Sequence, residues 1–185
     1  MENTWETIKK NCVDQFEKRL EFFIGKLKKI RSDRISLETI RGLKINYQGE
    51  KKPIKIIANL RISPNHELVI QAFEPNLTSL ISKAVLDEQL GYKQEKISKD
   101  EVIFTLLPMT GEMRKKLIKD VKEIIEEGKK FFRLIHQDIK SALKKDKNLS
   151  QDQKKNYEKQ GDKLFKDYQD RFAVAWEKKI KELSS

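Results

Sequence analysis

Three long stretches of this chain place apolar residues in alternating steps of three and four, a spacing that suits helices buried against partner helices along their length. In the first, Val13, Phe16, Leu20, Phe23, Leu27 and Ile30 form the line, and Asn3 or Thr4 is placed to cap its start. The second begins at Thr110 and carries Leu117, Val121, Ile124, Gly128, Phe131, Ile135 and Ile139. The third opens at Ser150-Gln151-Asp152-Gln153, a run with the form of a capping box. It aligns Tyr157, Gly161, Leu164, Tyr168, Phe172, Trp176, Ile180 and Leu183. Only 7 Gly and 4 Pro occur in 185 residues, so little chain is left for loops. A short turn at 144–149 makes the second and third helices antiparallel. Each seam needs the other two, and the economical arrangement is one three-helix bundle, about 45 Å long or longer at 1.5 Å per residue. Trp5 and Trp176 lie on the apolar periodicity and read as core or bundle-end aromatics. Gly128 costs about 1 kcal/mol of helix propensity relative to alanine, so its place on the seam points to close approach by a neighbour.

Between the first two helices the period falls to two. Residues 43–47, parts of 54–60, 67–73 and 101–106 alternate as strands do, with Gln48-Gly49-Glu50 and Ser63-Pro64-Asn65-His66 as turn signals. Residues 76–90 read as an amphipathic helix that Gly91 stops. The fold class expected is therefore α+β: an elongated antiparallel three-helix bundle from 1–34 and 108–185, with a small β/α domain, 35–107, inserted between helices one and two. Two adjacent crossings join the parts, one at Ser32, Asp33, Ile35 and Ser36, the other at Leu107 and Pro108. They form a hinge through which the insert swings without wandering.

The net charge of +11 favours a polyanionic partner. Residues 35–107 hold 10 Lys/Arg against 9 Asp/Glu, which leaves +10 for the two ends. Lys129, Arg133, His136, Lys140 and Lys144, in steps of 4, 3, 4 and 4, fall on one face of the second helix and make a stripe about 20 Å long. Such a stripe suits the phosphates of an RNA backbone, with Arg offering paired donors and Lys a point charge. Arg31 and Arg34, three apart, read as a second basic pair at the end of helix one. A lone Cys12 permits no intramolecular disulfide. Two histidines, His66 and His136, no glycine-rich phosphate loop and no spaced metal ligands give an enzyme reading little support. No run of about 18 apolar residues spans a membrane, and the amino-terminal residues show no signal core, which points to the cytoplasm.

The layout and five motifs in order resemble the ribosome recycling factor family. Ile30-Arg31-Ser32-Asp33-Arg34-Ile35-Ser36 is similar to that family's segment at the end of helix one. Tyr47-Gln48-Gly49 with Pro53-Ile54 and Ile57-Ala58, then Phe73-Glu74, Lys83-Ala84 and Leu90-Gly91, follow its pattern through the insert. Leu107-Pro108-Met109-Thr110-Gly111-Glu112-Met113-Arg114 resembles the start of its second helix. The resemblance implies a translation factor without catalytic residues, metal or cofactor. It implies contact with large-subunit rRNA through the helical domain while the insert faces elongation factor G; a monomer is expected because each seam has partners within the chain. With that GTPase, such a factor splits post-termination ribosomes; the alternative is a relative that occupies idle ribosomes without recycling them. Arg31, Arg34 and Arg133 coincide with the family's pattern. The chain departs from it at His136 and Gln137, which stand where the family carries arginines, and at Asp33, which replaces a hinge glycine. On sequence alone, His136→Arg is expected to tighten binding to large subunits.

Overall fold

The computed structural model describes residues 4–184. Chain order is α1 (Thr4–Lys28), α2 (Leu37–Arg41), β1 (Lys44–Tyr47), β2 (Glu50–Pro53), α3 (Ile54–Ile57), β3 (Ala58–Ile62) and β4 (Leu68–Ala72). There follow α4 (Thr78–Asp87), β5 (Tyr92–Ile97), β6 (Glu101–Leu106), α5 (Gly111–Lys145) and α6 (Gln151–Ser184). Two compact units result, one of Met1–Leu27 with Ile118–Ser184 and the other of Lys28–Leu117. Among the described residues no helix is long and apolar enough to cross a membrane.

The first unit consists of most of α1 and α5 and all of α6, and the α+β class with long helices is as the sequence implies. Thr110 caps α5: its hydroxyl accepts the Met113 N–H at 3.2 Å. Ser150 and Gln153 form the reciprocal box, with Gln153 N–H to Ser150 Oγ at 3.2 Å and Ser150 N–H to Gln153 Oε1 at 2.9 Å. Asn3 lies outside the described residues. Down the middle, Phe16, Phe23, Phe132 and Phe172 form one aromatic cluster with ring centroids 5.4–6.5 Å apart. Phe16 also stacks on Tyr168 and Trp5 on Tyr157. Rising numbers on α1 thus meet rising numbers on α6 and falling ones on α5, so α5 runs antiparallel to both. Tyr168 donates to Glu17 at 2.6 Å, and Arg171 reaches the same carboxylate at 2.9 Å. Burial first, and then that carboxylate, push the Tyr168 phenol up to about 12.

The seams hold with local changes of phase. Cys12 is buried where Val13 was expected, and α5 buries Ile125 and Phe132 while Ile124 and Phe131 are half-exposed. Both α5 positions are apolar doublets. A helix between two partners buries a broad stripe, and spacing alone does not choose which member of a doublet faces inward. Ile30 is off the seam altogether, because α1 ends at Lys28. On α6, Trp176 and Ile180 are half-exposed and Lys179 is buried. Burial pushes the Lys179 ammonium down, against the pull of Glu182 at 3.7 Å.

In the second unit the strands order β3-β4-β6-β5, all antiparallel, beside a β1-β2 hairpin. Gln48 and Gly49, at φ 52° and 80°, make the two-residue turn between Tyr47 and Glu50. Ile54, Leu68, Ile70, Ile81, Val85, Val102 and Phe104 are the centre of its core. Three expectations change here. The 54–60 stretch is split between α3 and β3. β2 and β5, with burial patterns too exposed to show alternation, were not anticipated. And α4 stops at Asp87, three residues before the expected end: Gln89, at φ 52°, turns the chain, and Gly91, at φ 85°, leads into β5.

Glycine positions on two bundle helices give opposite expectations. A Cβ on Gly128 would lie 2.6 Å from the Phe172 ring, so Gly128→Ala should destabilise the protein by about 1–3 kcal/mol through overpacking. A Cβ on Gly25 meets nothing within 4 Å. Gly25→Ala should therefore gain up to about 1 kcal/mol from helix propensity. Urea unfolding midpoints of the two variants will move in opposite directions.

Candidate nucleic-acid interface

The α5 stripe is present but only part of it is free. Core positions Gly128, Phe132, Ile135, Ile139 and Leu143 each precede a stripe residue by one, so at about 100° per residue the stripe lies on the flank of α5 that faces α6. Arg133 is exposed, and among the described residues no carboxylate lies within 4.0 Å of it. Lys144 is exposed too, while its carbonyl accepts from the Lys154 ammonium at 3.3 Å. Lys129 lies 3.7 Å from Glu126, with its ammonium 5.7 Å from the centre of the Trp176 ring. His136 is drawn inward and Lys140 is paired: Asp162 of α6 bonds His136 Nε2 at 2.6 Å and lies 3.5 Å from the Lys140 ammonium. The imidazole also stacks on Phe165 at 4.3 Å with the planes 1° apart, and only 17% of its side chain is exposed.

That geometry qualifies the His136→Arg expectation, since a guanidinium there meets Asp162 before it meets a phosphate. Asp162 and Phe165 were missed by the sequence reading, which treated the stripe as a property of α5 alone. The available signal was an acid and an aromatic three apart on the flank of the third seam.

Arg31 and Arg34 are separated by the structure. They are not three apart on one helix face, because α1 has already ended at Lys28. Arg34 is exposed, whereas Arg31 is buried with 9% of its surface accessible. Arg31 Nη2 donates to the Leu107 carbonyl, and the guanidinium rests on Gly91, whose absent Cβ would lie 2.5 Å from Arg31 Cζ. Leu107 N–H in turn donates to the Gly91 carbonyl at 2.8 Å. Arg31 thus ties one crossing segment to the other inside the second unit. Beside it Asp33 pairs with Arg114 at 2.6 Å, both partly buried. Ser32 Oγ donates to the Arg34 carbonyl at 2.7 Å, and Ser36 caps α2. Ile35 packs against the sheet core, while Leu107 and Pro108 are exposed. Arg114 and Gly91 stood in the quoted motifs, but their partners are distant in sequence.

These segments also relocate charge. Residues 28–34 and 108–117 carry seven Lys/Arg and two Asp/Glu, a net of +5, and they belong to the second unit. Among the described residues no group of three His, Cys, Asp or Glu side chains is arranged to hold a metal ion.

The His136 bond holds the Asp162 carboxyl below its ordinary range, helped by the Lys140 charge and opposed by slight burial. A carboxyl depressed in the folded state adds stability above its unfolded value and loses it as pH falls through the folded value. In an NMR titration, His136→Phe should keep the stack on Phe165 and move Asp162 upward, toward the usual carboxylate range, with Lys140 still holding it down in part.

Comparisons with known proteins agree with one another. The family model described as ribosome recycling factor matches residues 23–183. The chain is 32% identical over 180 residues to the ribosome-recycling factor of Mycoplasmoides gallisepticum, covering 95% of this chain and 98% of that protein. It is also 32% identical to the ribosome-recycling factor of Thermosipho africanus, covering 96% and 97%. A solution structure of the ribosome recycling factor superposes with a TM-score of 0.84 at 27% identity, over 100% of this chain and 99% of that one. A Thermus thermophilus recycling factor, described together with Escherichia coli elongation factor G as bound to the Escherichia coli post-termination complex, matches with a TM-score of 0.70 at 26% identity over 99% and 100%. Sequence, fold and both units along nearly the whole length lead to one conclusion: this chain belongs to the ribosome recycling factor family.

Proposed function

We propose that this protein, a translation factor and not an enzyme, works with elongation factor G in the cytoplasm to split post-termination ribosomes into subunits. The observation that carries the reading is the match of both units, end to end, to a factor described with elongation factor G on a post-termination complex. The helical unit binds large-subunit rRNA as a monomer, its three seams having partners within the chain. The β-rich unit faces elongation factor G, which supplies the GTP hydrolysis. In this reading Ser32, Asp33, Ile35, Ser36, Leu107 and Pro108 form the hinge. A boundary there gives a bundle of 1–34 with 108–185 and an insert of 35–107, whereas the compact units divide at 27/28 and 117/118, so that these residues fall within the second unit.

Among the basic residues, Arg133 and Lys144 of the stripe, with Arg34, carry the rRNA contact in this reading, because their heads are exposed. Lys129 and Lys140 add charge from paired positions, and His136 orders the flank through Asp162. Arg31 supports the site from within by holding the crossing segments together.

Purified protein, post-termination ribosomes, GTP and elongation factor G from the same organism should yield free subunits in sucrose-gradient or light-scattering assays. Ribosome binding without subunit release sinks the recycling reading and leaves a relative that occupies idle ribosomes. In the same system Arg133→Ala should weaken binding to large subunits. The slope of log affinity against log salt should fall by about 0.7–0.9, the value of one lost phosphate contact. Arg31→Ala should instead lower thermal stability, with little change in that slope.

A further inference from the structure

The opposite flank of α5 carries a feature that the basic stripe does not use. Between α1 and α5 runs an open groove of about 530 Å³, with Lys18, Arg19 and Phe22 on the α1 wall and Phe131, Leu134 and Asp138 on the α5 wall. At about 100° per residue, Phe131, Leu134 and Asp138 lie on the side of the core line away from Arg133, Lys140 and Lys144. Phe22 and Leu134 are 48% and 46% exposed; the Phe22 ring has the Lys26 ammonium 4.9 Å from its centre and Phe23 edge-on at 5.2 Å, and is otherwise open.

Charge on α1 differs across the same line. Arg19 and Lys26 lie on the flank toward α5, and Glu6 and Glu17 on the other, where Glu17 bonds Tyr168 and Arg171; Lys18 lies on the outer face, with Asp14 at i−4 and Glu21 at i+3 as its helix neighbours. Glu127 of α5 neutralises Lys26 at 3.0 Å. Among the described residues, Lys18 and Arg19 have no carboxylate within 4.0 Å. Arg19 is held with its guanidinium 4.3 Å above the Phe131 ring, a position that leaves its in-plane N–H groups available to an anion.

We propose that this groove is a second RNA contact, in which one unpaired nucleotide stacks its base on Phe22 while its phosphate lies against Lys18 and Arg19. An exposed aromatic flanked by cations is the arrangement that single-stranded RNA uses, the ring supplying a platform and the cations tracking the backbone. A peptide helix would need a row of apolar pockets at helical spacing, and the groove offers one exposed ring and one leucine. Asp138 on the α5 wall repels a phosphate, which favours the phosphate on the α1 side beside Lys18 and Arg19. The proposal deepens the ribosome-binding reading and rests on it.

The test uses the full-length protein and purified large ribosomal subunits. Phe22→Leu keeps an apolar side chain of similar reach but removes the platform; Phe22→Trp restores one. Base stacking on an aromatic corresponds to a loss of at least about fivefold in affinity for Phe22→Leu, with Phe22→Trp binding as the wild type does. Lys18→Ala with Arg19→Ala should lower the salt slope, and Phe22→benzoylphenylalanine should photo-crosslink to rRNA. Thermal melts of each variant monitor folding. Wild-type affinity for Phe22→Leu, or a cross-link that goes only to protein, overturns the nucleotide site while leaving the ribosome-binding reading intact. Absence of wild-type binding to large subunits overturns both.

Discussion

The packing of Phe172 against Gly128 sets the rotation of the helices in the bundle. With no Cβ at Gly128, the Phe172 ring lies where a side chain would otherwise be, within reach of Phe23 and Phe132. Dispersion between such close surfaces falls off steeply with separation, so this contact fixes which line of α5 faces inward. Once that line is fixed, the two flanks follow: Arg133 and Lys144 on the side of α6, Phe131, Leu134 and Asp138 on the side of α1. Gly161 acts similarly one end further along, where a Cβ would lie 3.0 Å from Ile139.

The crossing segments depend on a different kind of contact. Arg31 is a buried cation with no carboxylate within 4.0 Å among the described residues; it bonds a backbone carbonyl and lies on a glycine with φ of 85°. A side chain at Gly91 would meet both the guanidinium and an unfavourable backbone conformation, so glycine is required there for two independent reasons. The Asp33–Arg114 pair adds a bond of the charge-assisted kind between the two segments. Asp33 thus gives Arg114 an acidic partner at this crossing.

Much of this was readable in advance where a local rule carried the information. The start of α5 at Thr110, the cap at Ser150, the Gln48-Gly49 turn, the three seams and β6 follow from residue type and spacing over a few positions. The doublets Ile124-Ile125 and Phe131-Phe132 were not resolvable, since both members satisfy the same apolar requirement. β2 and β5 were missed because their side chains are mostly exposed, and alternation is visible only when one face is buried. Arg31 looked like a surface cation because arginine usually is one; its burial depends on Gly91 and Leu107, 60 and 76 residues away.

By itself the sequence determined the class of fold, the long helices with their caps, the β-rich insertion, the excess of positive charge and the family motifs. These are properties of short-range periodicity and composition. Only tertiary structure decided which of these side chains are available. His136 and Lys140 are engaged by Asp162 from another helix, Arg31 is withdrawn into the crossing, and Lys18 and Arg19 are left beside an exposed ring. Whether a charge is free depends on what the rest of the chain brings within about 4 Å of it, and spacing along one helix does not contain that information.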